Sequence, residues 1–199
     1  MPRINLQTIV LATRNSGKLR EFQTLLLPLK SRVLSLQDIS IDRDFEESGN
    51  TFAENARLKA LAYSGLTPFP VLADDSGLEV MALGGRPGIY SARYAGSDAS
   101  DEDRNQKLLK ELEGEEDNRR ARFICALALA QKNTVLLESE GECRGIIIRA
   151  PRGTNGFGYD PVFLFPELDK TFAEFSPEEK NEYSHRTRAV RNLISQLKQ

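Results

Sequence analysis

One histidine and two cysteines in 199 residues leave little material for a zinc cage or a His-based catalytic triad. Cys125 and Cys143 stand in apolar or strand-like surroundings without metal spacing. Two cysteines do not make a disulfide scaffold, and a reduced, cytoplasmic setting is the default. No apolar run approaches the ~20 residues that span a bilayer. Met1 to Gln7 lacks the apolar core of a signal peptide. The expectation is a soluble protein with no membrane partner. The net charge of −2 argues against a general nucleic-acid binder, while a local basic pocket for phosphates stays open. There is no internal repeat, no low-complexity tract and no convincing linker. With 40% hydrophobic and 28% charged residues, the chain fits one domain or two small lobes sharing a core.

The most informative stretch that is present runs Val71-Leu-Ala-Asp-Asp-Ser-Gly77. Its apolar half reads as a buried strand. Asp74, Asp75 and Ser76 then fall at the strand's end, where α/β sheets bind ligands. Two adjacent carboxylates repel unless a cation or shared proton relieves them, so chemistry with a hard cation such as Mg²⁺ is the natural reading. Helix capping or a plain turn would use the same residue types.

Along the chain, Thr8–Thr13 reads as a buried strand and Asn15–Pro28 as a helix, with Leu19, Phe22, Leu26 and Leu29 at helical spacing. Arg32–Leu36 is a short strand and Asp38–Asn50 an acidic loop. Thr51-Phe-Ala-Glu54 is a capping box opening a helix that Gly65 and Pro68 close. Leu83–Gly96 reads as an irregular loop with a strand around Ile89–Tyr94. Ser100 starts a charged helix ending at Gly114. Arg120–Gln131 alternates, Lys132-Asn133 turns, and Thr134–Arg149 returns; this hairpin, about 120–149, is expected to contribute to a second lobe. Gly153–Asp160 is a glycine-rich loop and Val162–Phe165 a strand. Ser176-Pro-Glu-Glu179 starts another helix. A last helix offers Ala189, Val190, Leu193, Ile194 and Leu197. Together these give a single α/β domain over 1–199 with a mixed sheet.

Four further segments carry chemistry. Thr13-Arg14-Asn15-Ser16-Gly17-Lys18 puts backbone N–H groups and a lysine at a helix start, which suits an anion. It is not a P-loop, because Ala12 stands where the first glycine belongs and Leu19 where the Ser/Thr belongs. Lys59 shares a helix face with Phe52, Ala56 and Tyr63, so it must snorkel or meet an anion; Glu46 and Glu47 precede it in a loop that could equally be plain solvated charge. Gly156-Phe157-Gly158-Tyr159-Asp160 offers close backbone approach, a flat ring for a base and a carboxylate acceptor, or an aromatic-anchored turn. Ser184-His185-Arg186, after Lys180, holds the lone histidine, a residue more often structural, beside an arginine able to donate to O6 and N7 of a purine.

These parts are those of a purine nucleoside triphosphate site. The chain resembles the inosine/xanthosine triphosphate pyrophosphatase family through Thr13–Lys18, Thr51–Asn55, Ala73–Gly77, Pro87–Arg93, Gly156–Asp160 and Ser184–Arg186, in family order across nearly the whole length. Arg14 departs from the pattern, since many members carry glycine there. The resemblance implies a long central mixed β-sheet flanked by helices, two lobes with a cleft between them, and a homodimer. It implies hydrolysis of ITP, dITP and XTP to the monophosphate and pyrophosphate, which keeps deaminated purines out of DNA and RNA. It assigns Asp75 as general base and Mg²⁺ ligand, and Glu47 as second ligand. Thr13 to Lys18, with Lys59 and Ser76, would hold the triphosphate. In the loop Phe157-Gly158-Tyr159-Asp160, Phe157 would stack on the base and Asp160 accept its N1–H, while Lys180, His185 and Arg186 surround the 6-oxo edge. A donor aimed at O6 is left unpaired by adenine, which costs ~1–3 kcal/mol. A related pyrophosphatase preferring other modified bases, and a nucleotide sensor without turnover, are the competing readings.

Overall fold

A computed structural model of the chain describes residues 5–45 and 47–198. Met1–Ile4, part of the N-terminal segment judged above, and Glu46 lie outside them. The chain forms an α/β fold on a seven-stranded mixed sheet of order β2-β1-β3-β4-β5-β6-β7. The expected α/β class with a mixed central sheet flanked by helices is what the chain adopts. β1 (Thr8–Ala12) runs parallel to both β2 (Arg32–Ser35) and β3 (Val71–Val80). β4 (Arg120–Gln131) and β5 (Thr134–Ile147) form a hairpin whose two turn residues, Lys132 and Asn133, both take left-handed φ of 51° and 58°. β5, β6 (Phe163–Phe165) and β7 (Lys170–Thr171) continue antiparallel.

Contacts divide the fold into two compact units. One comprises Met1–Asp75, Cys125–Gly141 and Arg186–Gln199, and the other Ser76–Ile124 and Glu142–His185. β3, β4 and β5 each pass from one unit to the other, so the tip of the central hairpin belongs to the first and its base to the second.

In the first unit, α1 (Ser16–Leu25) starts where the Asn15 side chain accepts from Lys18 N. It buries Phe22 with Leu26 against Ile9, Leu11, Leu72 and the β4 residues Cys125, Leu127 and Leu129. α5 (His185–Leu197) adds Ala189, Val190 and Leu193 to that core. The alternate β4 positions Ala126, Ala128 and Ala130 are buried as well. A strand covered on both faces reads as a continuous apolar run. α2 (Phe52–Ser64) is capped by Thr51, whose side chain accepts from Glu54 N. Glu54 closes the box on Asn50 N rather than on Thr51.

The second unit is built on rings. Phe123, Phe163, Phe165, Phe172 and Phe175 are buried with Leu78, Val80 and Ile147, and neighbouring ring centroids stand 4.5–6.4 Å apart. Such pairs add to area burial. α3 (Asp101–Glu111) begins with a full Ser100/Asp103 capping box, and α4 (Pro177–Tyr183) with a Ser176/Glu179 box and proline at its start.

Two expectations are corrected. β3 does not stop at the acids. It continues to Val80, because Leu78 and Val80 are fully buried and their N–H groups bond to Ser91 Oγ and Arg86 O. Asp, Ser and Gly, turn residues by preference, are here carried inside a paired strand. The segment Ile89–Tyr94 is not a strand but the greater part of a 3-10 helix, Gly88–Arg93. Left-handed Gly88 starts it, and Ser91 Oγ donates back to Gly88 O at 2.6 Å.

Candidate active site

Within the first unit, buried charge collects around the two adjacent acids. Successive strand residues diverge, and Asp74 and Asp75 meet different partners. Asp74, fully buried, accepts an ion pair from Lys18 Nζ at 2.8 Å. Burial works to raise its pKa, but Lys18, Lys59 and Arg186 outweigh that and bring it down to about 2. Asp75 accepts from Asn55 Nδ2 at 3.1 Å. Burial pushes its pKa up to about 6 against the pull of Lys59 and Lys18, and Glu47 adds to the rise. Two carboxylates one residue apart thus hold their protons about four pH units apart, the pattern by which a site divides a charge anchor from a proton acceptor.

Lys59 lies on the packed side of α2, as its spacing required. Its Nζ donates to Asp74 O at 3.0 Å and pairs with Glu47. Burial alone would depress the ammonium pKa, yet Asp74 and Glu47 raise it overall. At the start of α1, Thr13 Oγ1 accepts from Asn15 N and Asn15 Oδ1 from Lys18 N, while Leu19 N closes the ladder on Asn15 O. The amides of Ser16 and Gly17 precede that ladder and face outward from the helix end, where an anion is favoured. Arg14 extends to Asp42 at 3.0 Å on the surface. Arg186, 5% exposed, pairs with Glu21 at 2.9 Å and acts on Asp74. It therefore belongs to the unit of the acids, whereas Lys180 and His185 belong to the other.

In the second unit, Asp160 Oδ2 accepts from Lys180 Nζ at 2.5 Å and from Phe157 N at 2.9 Å. Lys180 Nζ also stands 4.6 Å from the Phe157 ring centroid. Both ends of the Lys180–Asp160 pair are buried, and Phe157 is half-exposed. Gly156 and Gly158 flank Phe157 with φ of 76° and 65°. A Cβ at Gly156 would run into the Asp160 carboxylate. Tyr159 donates its hydroxyl to Ser91 O at 2.9 Å. His185 is buried, its ring stacked on Phe123 at 4.8 Å and 14°. Ser76, half-buried, opens this unit's share of β3.

Asn55 was not among the residues singled out. It is 2% exposed and ties two site segments, accepting from Gly49 N at 2.8 Å while donating to Asp75. Its signal was present: a polar, poor helix former one turn before Lys59 on the apolar face. Among the described residues no three Asp, Glu, His or Cys gather as a metal cage.

Comparison with known proteins gives the family. The Ham1 family model matches residues 9–196. A dITP/XTP pyrophosphatase of Gloeobacter violaceus is 55% identical over 94% of this chain and 92% of its own length. One from Thermus thermophilus is 51% identical over 96% and 91%. Solved structures of Ham1 proteins from Coxiella burnetii (TM-score 0.87, 45% identity) and Staphylococcus aureus (TM-score 0.85, 43%) each cover 96% of this chain and 98% of their own. The class is that of α/β proteins on a mixed sheet. Within it, the chain belongs to the Ham1 family.

Proposed function

We propose that the protein hydrolyses deaminated purine nucleoside triphosphates, dITP, ITP and XTP, to the monophosphate and pyrophosphate, as a cytoplasmic homodimer. The single observation that carries this is the placement of the adjacent acids Asp74 and Asp75 among buried cations, with Lys18 Nζ 2.8 Å from the Asp74 carboxylate and Lys59 Nζ 3.0 Å from the Asp74 carbonyl, at the start of α1. A chain half or more identical to proteins named for that activity supports the same reading.

In this reading the first unit handles phosphate. The α1 start from Thr13 to Lys18, with Lys59, receives the triphosphate oxygens, and Ser76, the residue after Asp75 along β3 and the first of the second unit, adds a hydroxyl. Asp74 does not touch substrate; it anchors the Lys18 ammonium in place. Asp75, oriented by Asn55, takes the proton of the water that attacks the α-phosphorus. Mg²⁺ fits the donor set: Asp75 and Glu47 are near enough for Glu47 to raise the Asp75 pKa, and Mg²⁺ needs only one or two carboxylates beside phosphate oxygens and waters. Bound there by Asp75 and Glu47, the ion would offset phosphate charge. The second unit reads the base. Phe157 supplies a stacking face, and Asp160 accepts the ring N1–H. Lys180 and His185, with Arg186, favour a 6-oxo purine over adenine.

The test is a product assay with ITP, XTP, dUTP, GTP and ATP in Mg²⁺. Pyrophosphate release fastest from ITP and XTP is expected. A preference for a pyrimidine, orthophosphate as product, or binding without turnover would overturn the reading.

A further inference from the structure

Phe157 sits between two left-handed glycines, so its own backbone does little to hold the ring. From one side the loop is tied by Asp160, which accepts from Phe157 N. On the other side, no atom lies within 4 Å of where a Gly158 Cβ would stand. Two hydrogen bonds from α3 hold the Gly158 backbone. Gly158 N donates to Asp101 Oδ2 at 2.6 Å, and Asn105 Nδ2 donates to Gly158 O at 2.9 Å. Asp101 and Asn105 are one turn apart and hold both backbone polar groups of one residue, the N–H of one peptide and the carbonyl of the next. Asp101 is itself held by Arg104. Asn105 is 5% exposed and its Oδ1 has no hydrogen-bond partner. A half-satisfied buried amide costs stability, so its place is accounted for by the loop it holds and not by the helix.

We propose that Asp101 and Asn105 are positioning residues for base recognition: they fix the Gly158 peptide and thereby hold the Phe157 ring in its stacking orientation. This rests on the reading of Phe157 as the base-stacking face. Base–aromatic stacking is strong enough that losing it weakens binding by about tenfold.

The experiment is calorimetric binding of inosine monophosphate, which carries the base, and of inorganic tripolyphosphate, which does not. Asp101→Ala and Asn105→Ala should each weaken inosine monophosphate about tenfold and leave tripolyphosphate unchanged. Asp101→Asn, which keeps an acceptor for Gly158 N–H, should restore most of the loss. In a Phe157→Ala background neither substitution should cause further loss. If Asp101→Ala does not fold, Asn105→Ala carries the same comparison. Equal losses for both ligands, additivity with Phe157→Ala, or no binding of inosine monophosphate to the unsubstituted chain would overturn the inference. Failure to release pyrophosphate from ITP, with these binding differences intact, would overturn the proposed reaction alone.

Discussion

The two units of this protein deal with buried charge in opposite ways. The first brings Lys18, Lys59, Glu47, Asp74, Asp75 and Arg186 into one electrostatic neighbourhood, in which a carboxylate is held at about 2 beside one held at about 6. The second surrounds one buried pair, Lys180 and Asp160, with a shell of rings and spends that pair on closing a glycine loop. In the first, three cations, Lys18, Lys59 and Arg186, stand with three acids, Glu47, Asp74 and Asp75, and the two adjacent acids are shifted in opposite directions. In the second, a single pair ties the loop that carries the Phe157 ring.

The comparison is broken most severely at Asp75. Asp75→Asn should lower pyrophosphate release by about 10²–10⁴-fold while some ITP binding persists, as expected for a lost proton acceptor. Turnover near that of the unsubstituted chain would remove Asp75 from the reaction and leave the first unit a binding site. Next in size is the matched pair of the second unit. Lys180→Met takes the cation from a buried carboxylate and should cost about 3–5 kcal/mol in denaturant unfolding. A loss below about 1 kcal/mol would show that Lys180 does not stabilise the buried Asp160 carboxylate.

The pH dependence of the metal-free protein sharpens the contrast between the neighbours. Asp74 is lower folded, about 2, than its ordinary 3.8, so its stabilisation is present above about pH 4 and is lost as pH falls toward 2. Asp75 is higher folded, about 6, so its protonated form favours the fold at low pH, and that contribution is lost as pH rises through 6. Asp75→Asn should therefore raise the unfolding free energy by about 2–3 kcal/mol at pH 8 and leave it nearly unchanged at pH 4. The same substitution that stops turnover should stabilise the fold, a trade common at functional sites. An equal effect at both pH values would contradict the raised pKa. The smallest expected effect is on specificity. Arg186→Ala should narrow the ITP-to-ATP ratio by about tenfold, the worth of one hydrogen bond to a charged donor. An unaltered ratio with equal losses on both substrates would leave the guanidinium with Glu21 and Asp74.

Much of this was legible in the chain, for identifiable reasons. The caps at Asn15, Thr51, Ser100 and Ser176 are local chemistry, a side-chain oxygen two or three residues from an amide, and each is where its residue type places it. The Lys132-Asn133 turn and the apolar faces of α1 and α5 follow the same logic. Lys59 was legible because a cation at an apolar helical position demands an anion, and Glu47 and the Asp74 carbonyl meet that demand. The continuation of β3 through Asp74–Gly77 was not legible. It depends on Ser91 and Arg86, which bond Leu78 and Val80 from a segment that reads as irregular loop. β7 is not legible because two residues carry no period, and only the pairing of Thr171 with Leu164 and of Lys170 with Phe165 makes them a strand.

What the sequence by itself determined is therefore the set of local instructions: element starts, turn types, apolar faces, and the residue kinds that can bind phosphate, a hard cation and a purine. Only the tertiary structure decided how those residues divide their labour. Whether a carboxylate is an anchor or a proton acceptor depends on which cations lie within a few ångströms and how much water is excluded. Those are sums over residues far apart in the chain, such as Lys18, Lys59 and Arg186 around Asp74, which no local pattern encodes.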